Sequence, residues 1–244
     1  MKRTVTSYLS FTLNRPDRSE IMQAHVFALL SALLLAGCNG TLIPLADHSK
    51  AKGLMRVSSG FPMPYFFLGS AVQWNEHYAV SVAHIPWLPN VVHRCSTGCD
   101  LVFIHHEAQG PVPKWRAAVP GETVRTAGVS PLLVIVEGEG TAKRALIRPS
   151  SSDPTAYAVN DAPISQGMSG GPVYGADGAA VGVTVGMFKA FGPMLPELES
   201  SKRLSLYVPY DVVEREWRLF NKQLRGPGVP LFSLSTPPPP TRAE

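Results

Sequence analysis

From Tyr65 onward the chain alternates short apolar runs with polar breaks that carry glycine or proline. Tyr65–Gln73 and Tyr78–Ala83 read as two strands joined by a turn at Asn75-Glu76. Val91–His93, Asp100–Ile104, Gly121–Ala127, Leu132–Val136, Ala142–Ile147 and Thr155–Val159 continue the pattern. Val173-Tyr174 and Ala179–Val185 flank an Ala-Asp-Gly turn at 176–178, a hairpin signal, and Ser205–Pro209 supplies the last strand. One stretch has a different period. Within Asp211–Phe220 the apolar positions 212, 213, 217, 219 and 220 fall near one helical stripe, with Asp211 placed as its cap. Many regularly spaced short strands and one terminal helix predict an all-β architecture. Residues 39–60 are mixed and polar and read as a tether, while the tail beyond Gly226, with its Thr236–Pro240 run, reads as disordered.

Composition sharpens this picture. Apolar residues make up 45% of the 244-residue chain and charged ones 16%, which excludes wholesale disorder. The 23 prolines and 21 glycines are spread along the chain and suit turns between strands. The net charge is +4, and no basic run or basic–aromatic interleaving accompanies it, so no nucleic-acid partner is expected. No cofactor or metal is expected either.

The N-terminus reads as an address. Val26–Leu35 is an uncharged ten-residue run, too short to span a bilayer and suited to the apolar region of a signal peptide. Lys2, Arg3, Arg15 and Arg18 precede it, and Met22 is an alternative start that would shorten the leader. The run ends in Leu35-Ala36-Gly37-Cys38, which resembles the bacterial lipoprotein cleavage box. That resemblance implies removal of residues 1–37 and a lipidated Cys38 as the first residue of the mature chain. Several acyl chains on one residue give durable anchoring. Asn39 stands where an aspartate would favour the inner membrane, which points to the outer membrane, facing the periplasm. With Cys38 set aside, Cys95 and Cys99 remain, an even pair that suits a disulfide in an oxidising compartment. A zinc site using nearby His93, His105 and His106 is the alternative, although its spacing fits no standard finger. The domain plan is a leader at 1–37, a tether at 38–60, a folded domain at 61–225 and a tail at 226–244.

The densest chemistry lies in Gln166-Gly167-Met168-Ser169-Gly170-Gly171-Pro172. Clustered glycines suggest a backbone that other residues would not adopt, and such a turn can present a serine hydroxyl beside converging N–H groups. Read alone, it could equally be a glycine-rich hairpin turn. Likewise His84, at a strand end before Ile85-Pro86, could be structural, and Asp100 could be a strand-edge residue.

Together and in this order, the three resemble the chymotrypsin-fold (trypsin-like) serine proteases. Val82-Ala83-His84 looks like that family's Ala-Ala-His segment, and Gly69–Val72 like the strand before it. Asp100-Leu101-Val102 looks like its Asp-Leu-Ala motif. The similarity spans roughly residues 60–222. It implies two six-stranded antiparallel β-barrels, about 61–115 and 116–210, followed by a helix at 211–224. It also implies that Ser169 attacks a peptide carbonyl, His84 takes its proton and Asp100 orients the imidazole. The N–H groups of Gly167 and Ser169 would form an oxyanion hole. Thr184-Val185-Gly186 resembles the strand that pairs with substrate backbone, the glycine leaving the pocket mouth open. Three features depart from the family pattern. His84 and Asp100 are close in sequence, with Glu107 the nearest substitute acid. Met168 replaces the aspartate that pairs with a freshly cut N-terminus in zymogen-activated members. Pro163 lies where trypsin carries an acid, which implies preference for an uncharged residue. The expected activity is that of a lipid-anchored serine endopeptidase acting on protein or peptide substrates. The competing expectation is an inactive protease-like fold serving as an envelope binding or scaffold protein. An esterase of another fold is disfavoured, because Gly-x-Ser-Gly-Gly lacks the nucleophile-elbow spacing.

Overall fold

The computed structural model describes residues 36–37, 40–63, 65–148, 155–189, 198 and 203–224. The apolar leader, Cys38 and the 226–244 tail, on which several expectations fall, lie outside the described residues. The strands in chain order are β1 (Ala36–Gly37), β2 (Gly40–Thr41), β3 (Ile43–Pro44), β4 (Leu54–Ser59), β5 (Phe67–Gln73), β6 (Tyr78–Ser81) and β7 (Val91–Arg94). They continue with β8 (Val102–His105), β9 (Thr123–Val129), β10 (Ile135–Ile147), β11 (Tyr157–Asn160), β12 (Pro172–Tyr174), β13 (Ala180–Lys189) and β14 (Arg203–Pro209). One helix, α1 (Tyr210–Leu224), closes the described chain.

The second half forms a closed six-stranded antiparallel barrel. Its order is β11-β14-β13-β12-β9-β10, and β10 pairs back to β11. The first half differs from the expected barrel. It is a five-stranded sheet ordered β4-β5-β6-β8-β7 among the described residues. The expected strands 132–136 and 142–147 are instead one 13-residue strand, β10. Its glycines suggest breaks in sequence, but here they permit close approach: a Cβ at Gly140 would collide with the Ala162 backbone. β10 runs beside β9, then shifts register between Ala142 and Leu146 and pairs with β11.

The 38–60 stretch is not a free tether over most of its length. β4 pairs with β5 from Leu54↔Val72 to Ser59↔Phe67, and β3 adds an edge to β10. Leu42, Leu45, Ala51 and Val57 are buried. Arg56, Ser58 and Ser59 dilute the apolar alternation that would have marked β4 as a strand.

Helix α1 begins one residue before Asp211, which therefore sits in the first turn, where a carboxylate favours the helix N-terminus. Its buried stripe is Val213, Glu216, Trp217 and Phe220, while Leu219 is partly exposed. That stripe packs on the first sheet: Trp217 lies 5.5 Å from the Phe103 ring and Phe220 5.5 Å from Tyr78. Glu216 is fully buried there. It accepts hydrogen bonds from Ser96 N–H at 2.8 Å, Ser96 Oγ at 2.9 Å and Arg215, and pairs with His93 Nε2 at 3.1 Å. Burial pushes the carboxyl's pKa up, but these hydrogen bonds outweigh it and hold the group below its ordinary value.

A carboxylate stabilised in the folded state contributes stability that is present above its unfolded pKa and lost as pH falls through its folded pKa. Glu216→Gln should therefore cost on the order of 2 kcal/mol at pH 7, read by urea unfolding. The deficit should shrink as pH drops below the ordinary glutamate value of 4.5. A deficit unchanged between pH 7 and pH 3 would show that the charge of Glu216 does not stabilise the fold.

Candidate active site

His84 follows β6, and Asp100 precedes β8, the strand paired with β6. Antiparallel pairing brings the end of one beside the start of the other, so the two side chains meet. Asp100 Oδ2 lies 2.6 Å from His84 Nδ1, and Asp100 Oδ1 accepts the backbone N–H of His84 at 2.9 Å. One carboxylate thus fixes both the ring and the backbone of the histidine. An ionised carboxylate only accepts, so Nδ1 carries the proton and Nε2 keeps its lone pair. The hydrogen bond to Asp100 raises the His84 pKa above its ordinary value, against an opposing effect of burial. The Asp100 N–H donates to Tyr157 Oη at 3.1 Å, which ties the pair to the barrel.

Within the short interval between the two residues, a disulfide joins Cys95 and Cys99. The three histidines of the zinc alternative face different partners. His93 meets Glu216, His106 meets Gln73 and His105 lies near Glu107. Glu107, the substitute acid, is exposed and pairs with His77 at 2.8 Å. Asp100, and not Glu107, contacts His84.

Ser169 lies in the turn between Ser165 and β12. Gly167 and Gly170 both have φ of 86°, the left-handed region that favours glycine. A Cβ at Gly170 would also strike Ser70 O and Ser81 Oγ, so the serine turn presses directly on the first sheet. Two hydrogen bonds cross this contact, and a third braces Ser70 within the first sheet. Ser70 N–H donates to Ser169 O at 2.8 Å, Ser70 Oγ donates to Gly167 O at 2.8 Å, and Ser81 Oγ donates to Ser70 O at 2.7 Å. From the barrel side, Gly170 N–H donates to Thr184 O and Thr184 N–H to Gly171 O, both at 2.8 Å. Among the described residues, the N–H groups of Gly167 and Ser169 donate to no protein acceptor. These donors, on either side of Met168, are available to an oxygen of a bound molecule.

The expected substrate-facing residues occupy distinct places. Pro163 is buried, and its carbonyl accepts from Thr126 Oγ1 at 2.8 Å. Thr184 is buried in β13, and the β13–β14 register shifts between Thr184 and Gly186. At that shift the Val185 carbonyl accepts the Ser169 hydroxyl at 3.1 Å. Gly186 faces open space, since a Cβ there would meet nothing within 4 Å. Among the described residues, Ser169 Oγ makes no hydrogen bond to His84. Sequence reasoning missed Ser70 and Ser81 as organising groups. Their signal is a lone hydroxyl inside an apolar strand, since a buried hydroxyl needs a partner.

No protein-family model matches the chain, and no curated protein matches it. Solved structures do. The serine endoprotease from Yersinia pestis superposes with a TM-score of 0.55 at 17% identity, over 74% of this chain and 68% of that one. An inactive form of the Rv3671c protease from M. tuberculosis gives 0.52 at 15% identity, over 70% and 90%. An HtrA-type protease with a tripeptide gives 0.57 at 17% identity, over 75% of this chain and 63% of that one. At this identity the likeness concerns the fold, and that fold is the one shared by trypsin-like and HtrA-type serine proteases.

Proposed function

We propose that this protein is a serine endopeptidase that hydrolyses peptide bonds through Ser169, His84 and Asp100. The observation that carries the reading is the coincidence of an Asp100-oriented histidine with two unengaged N–H donors flanking Met168. Ser169 Oγ attacks the scissile carbonyl carbon while its proton passes to His84 Nε2. The Nδ1 proton stays in its hydrogen bond to Asp100, whose charge offsets the imidazolium. The carbonyl oxygen, now negative, takes the N–H groups of Gly167 and Ser169. Collapse breaks the C–N bond, and His84 returns the proton to the departing amine. A water then attacks the acyl-serine by the same proton path, releasing the acid and restoring Ser169. Thr184–Gly186 would pair with the substrate backbone, and Pro163, lacking charge, suits an uncharged side chain in the primary pocket. The chain would reach its substrates from the periplasmic face of the outer membrane, held by a lipidated Cys38.

A specific observation favours a second reading, a protease-like fold used for binding. Ser169 Oγ is engaged by Val185 O rather than by His84. Catalytic hydrogen bonds commonly tighten only in complexes, so the first reading stands above it.

A fluorophosphonate probe should label the wild-type protein and fail to label Ser169→Ala. Equal labelling of both would remove Ser169 as nucleophile, and no labelling of the wild type would favour the binding fold. On a peptide substrate, kcat/KM should rise with pH as His84 loses its proton, with a midpoint above the ordinary histidine value of 6.5. Asp100→Ala should lower that midpoint towards 6.5 and cut kcat by roughly four orders of magnitude, the scale typical of such triads. An unchanged midpoint would mean another group titrates. Cys38→Ser should move the protein from the membrane to the soluble envelope fraction, whereas retention would rule out anchoring at this residue.

A further inference from the structure

Leu42, Val136, Ile164 and Met168 form a buried cluster separate from the main core, each at most 3% exposed. Met168 stands between Gly167 and Ser169, whose N–H groups have no protein acceptor among the described residues. Its own backbone N–H donates to Ser165 O at 3.2 Å, and its sulfur accepts Ser165 N–H at 3.3 Å. Gly128 lies flat against its Cα and Cβ, leaving no room for a side chain there. The position of Met168 therefore decides where the two donors sit.

Val136 and Ile164 come from the barrel and the loop before the turn, but Leu42 comes from the upstream segment. That segment is held in register: Ile43 pairs with Glu137, Pro44 with Val136, and Leu45 N–H donates to Ile135 O at 2.9 Å. We propose that Leu42 is a positioning residue: this upstream segment wedges an apolar side chain into the Met168 cluster and thereby holds the Gly167 and Ser169 donors in place. This rests on the endopeptidase reading. Where zymogen-activated relatives of this fold use an aspartate and a freshly cut N-terminus at this point, the present chain uses an apolar contact that needs no cleavage. Without Leu42, the flexible Met168 side chain would relax into the space left behind, and the peptide units on either side would move with it.

The test compares the full chain with Leu42→Ala, Leu42→Met and Val213→Ala, the last a buried truncation in helix α1. Leu42→Ala should lower kcat about tenfold or more with KM changed less than about twofold, the signature of a lost transition-state interaction. Leu42→Met should restore most of kcat. Val213→Ala should lower the melting temperature while leaving kcat near wild type. The proposal is overturned if Leu42→Ala loses no more kcat than Val213→Ala, or if the loss appears in KM. Amide hydrogen exchange gives a readout independent of turnover. Exchange at Met168 and Gly171, whose N–H groups are bonded within the turn to Ser165 O and Met168 O, should quicken in Leu42→Ala and not in Val213→Ala. If the wild type is inactive, the endopeptidase reading fails, yet this exchange contrast still decides whether Leu42 holds the turn.

Discussion

One buried hydroxyl sets the relation between the two halves of the domain. Ser70 is fully buried in β5, and its Oγ donates to Gly167 O while accepting the N–H of Val129 at 2.9 Å. Its backbone N–H and C=O are used as well, towards Ser169 and Ser81. A single residue of the first sheet thus ties down the serine turn, the end of barrel strand β9, and the strand that leads to His84. Each of these groups, left unpaired in the interior, would cost about 1–3 kcal/mol. The serine turn cannot shift against the histidine strand without breaking more than one of them.

The histidine side of the site is fixed by different means. The disulfide-closed loop at 95–99 delivers Asp100 directly after it, so a short chain interval is enough to return to His84. Tyr157 then reaches from the barrel to the Asp100 backbone. The catalytic geometry proposed here therefore depends on contacts from both halves at both ends, and neither half could hold it alone. The His84 ring remains about half exposed, open to a substrate from the solvent side.

Features carried by local patterns were legible in the sequence. The turn and strand signals around Asn75 and Asp177, the aromatic positions of α1, and the ordered His84, Asp100 and Ser169 all rest on short-range chemistry. Features that depend on partners far along the chain were not. β4 hides behind Arg56 and two serines because its burial is supplied by β5. Glu216 sits inside an otherwise apolar stripe, and only the position of Ser96 and His93 explains a carboxylate there. β10 looks like two strands because Gly138 and Gly140 mimic breaks, whereas their lack of side chains accommodates Pro163 and Ala162. The other four strands of the first sheet, β5 to β8, were legible as short apolar runs, but their closure into a sheet of five strands was not, since sheet order follows from pairing and not from periodicity.

The serine turn is held from two chemically distinct sides, and the division has a physical logic. Polar contacts from Ser70 and Thr184 saturate the carbonyls and N–H groups that must not be free. Among the described residues, the donors of Gly167 and Ser169 on either side of Met168 are left without a protein acceptor. Apolar packing under Met168 then sets where those donors lie without offering them an acceptor. An ion pair at Met168 would have to be buried in the apolar surroundings that Leu42, Val136 and Ile164 provide, at a desolvation cost. It would also require a free α-amine to enter the domain. A chain anchored through its first residue, as proposed here, cannot bury that same residue's amine beside the serine turn. Leu42, next to a strand already paired to the barrel, supplies an apolar contact that asks nothing of the terminus.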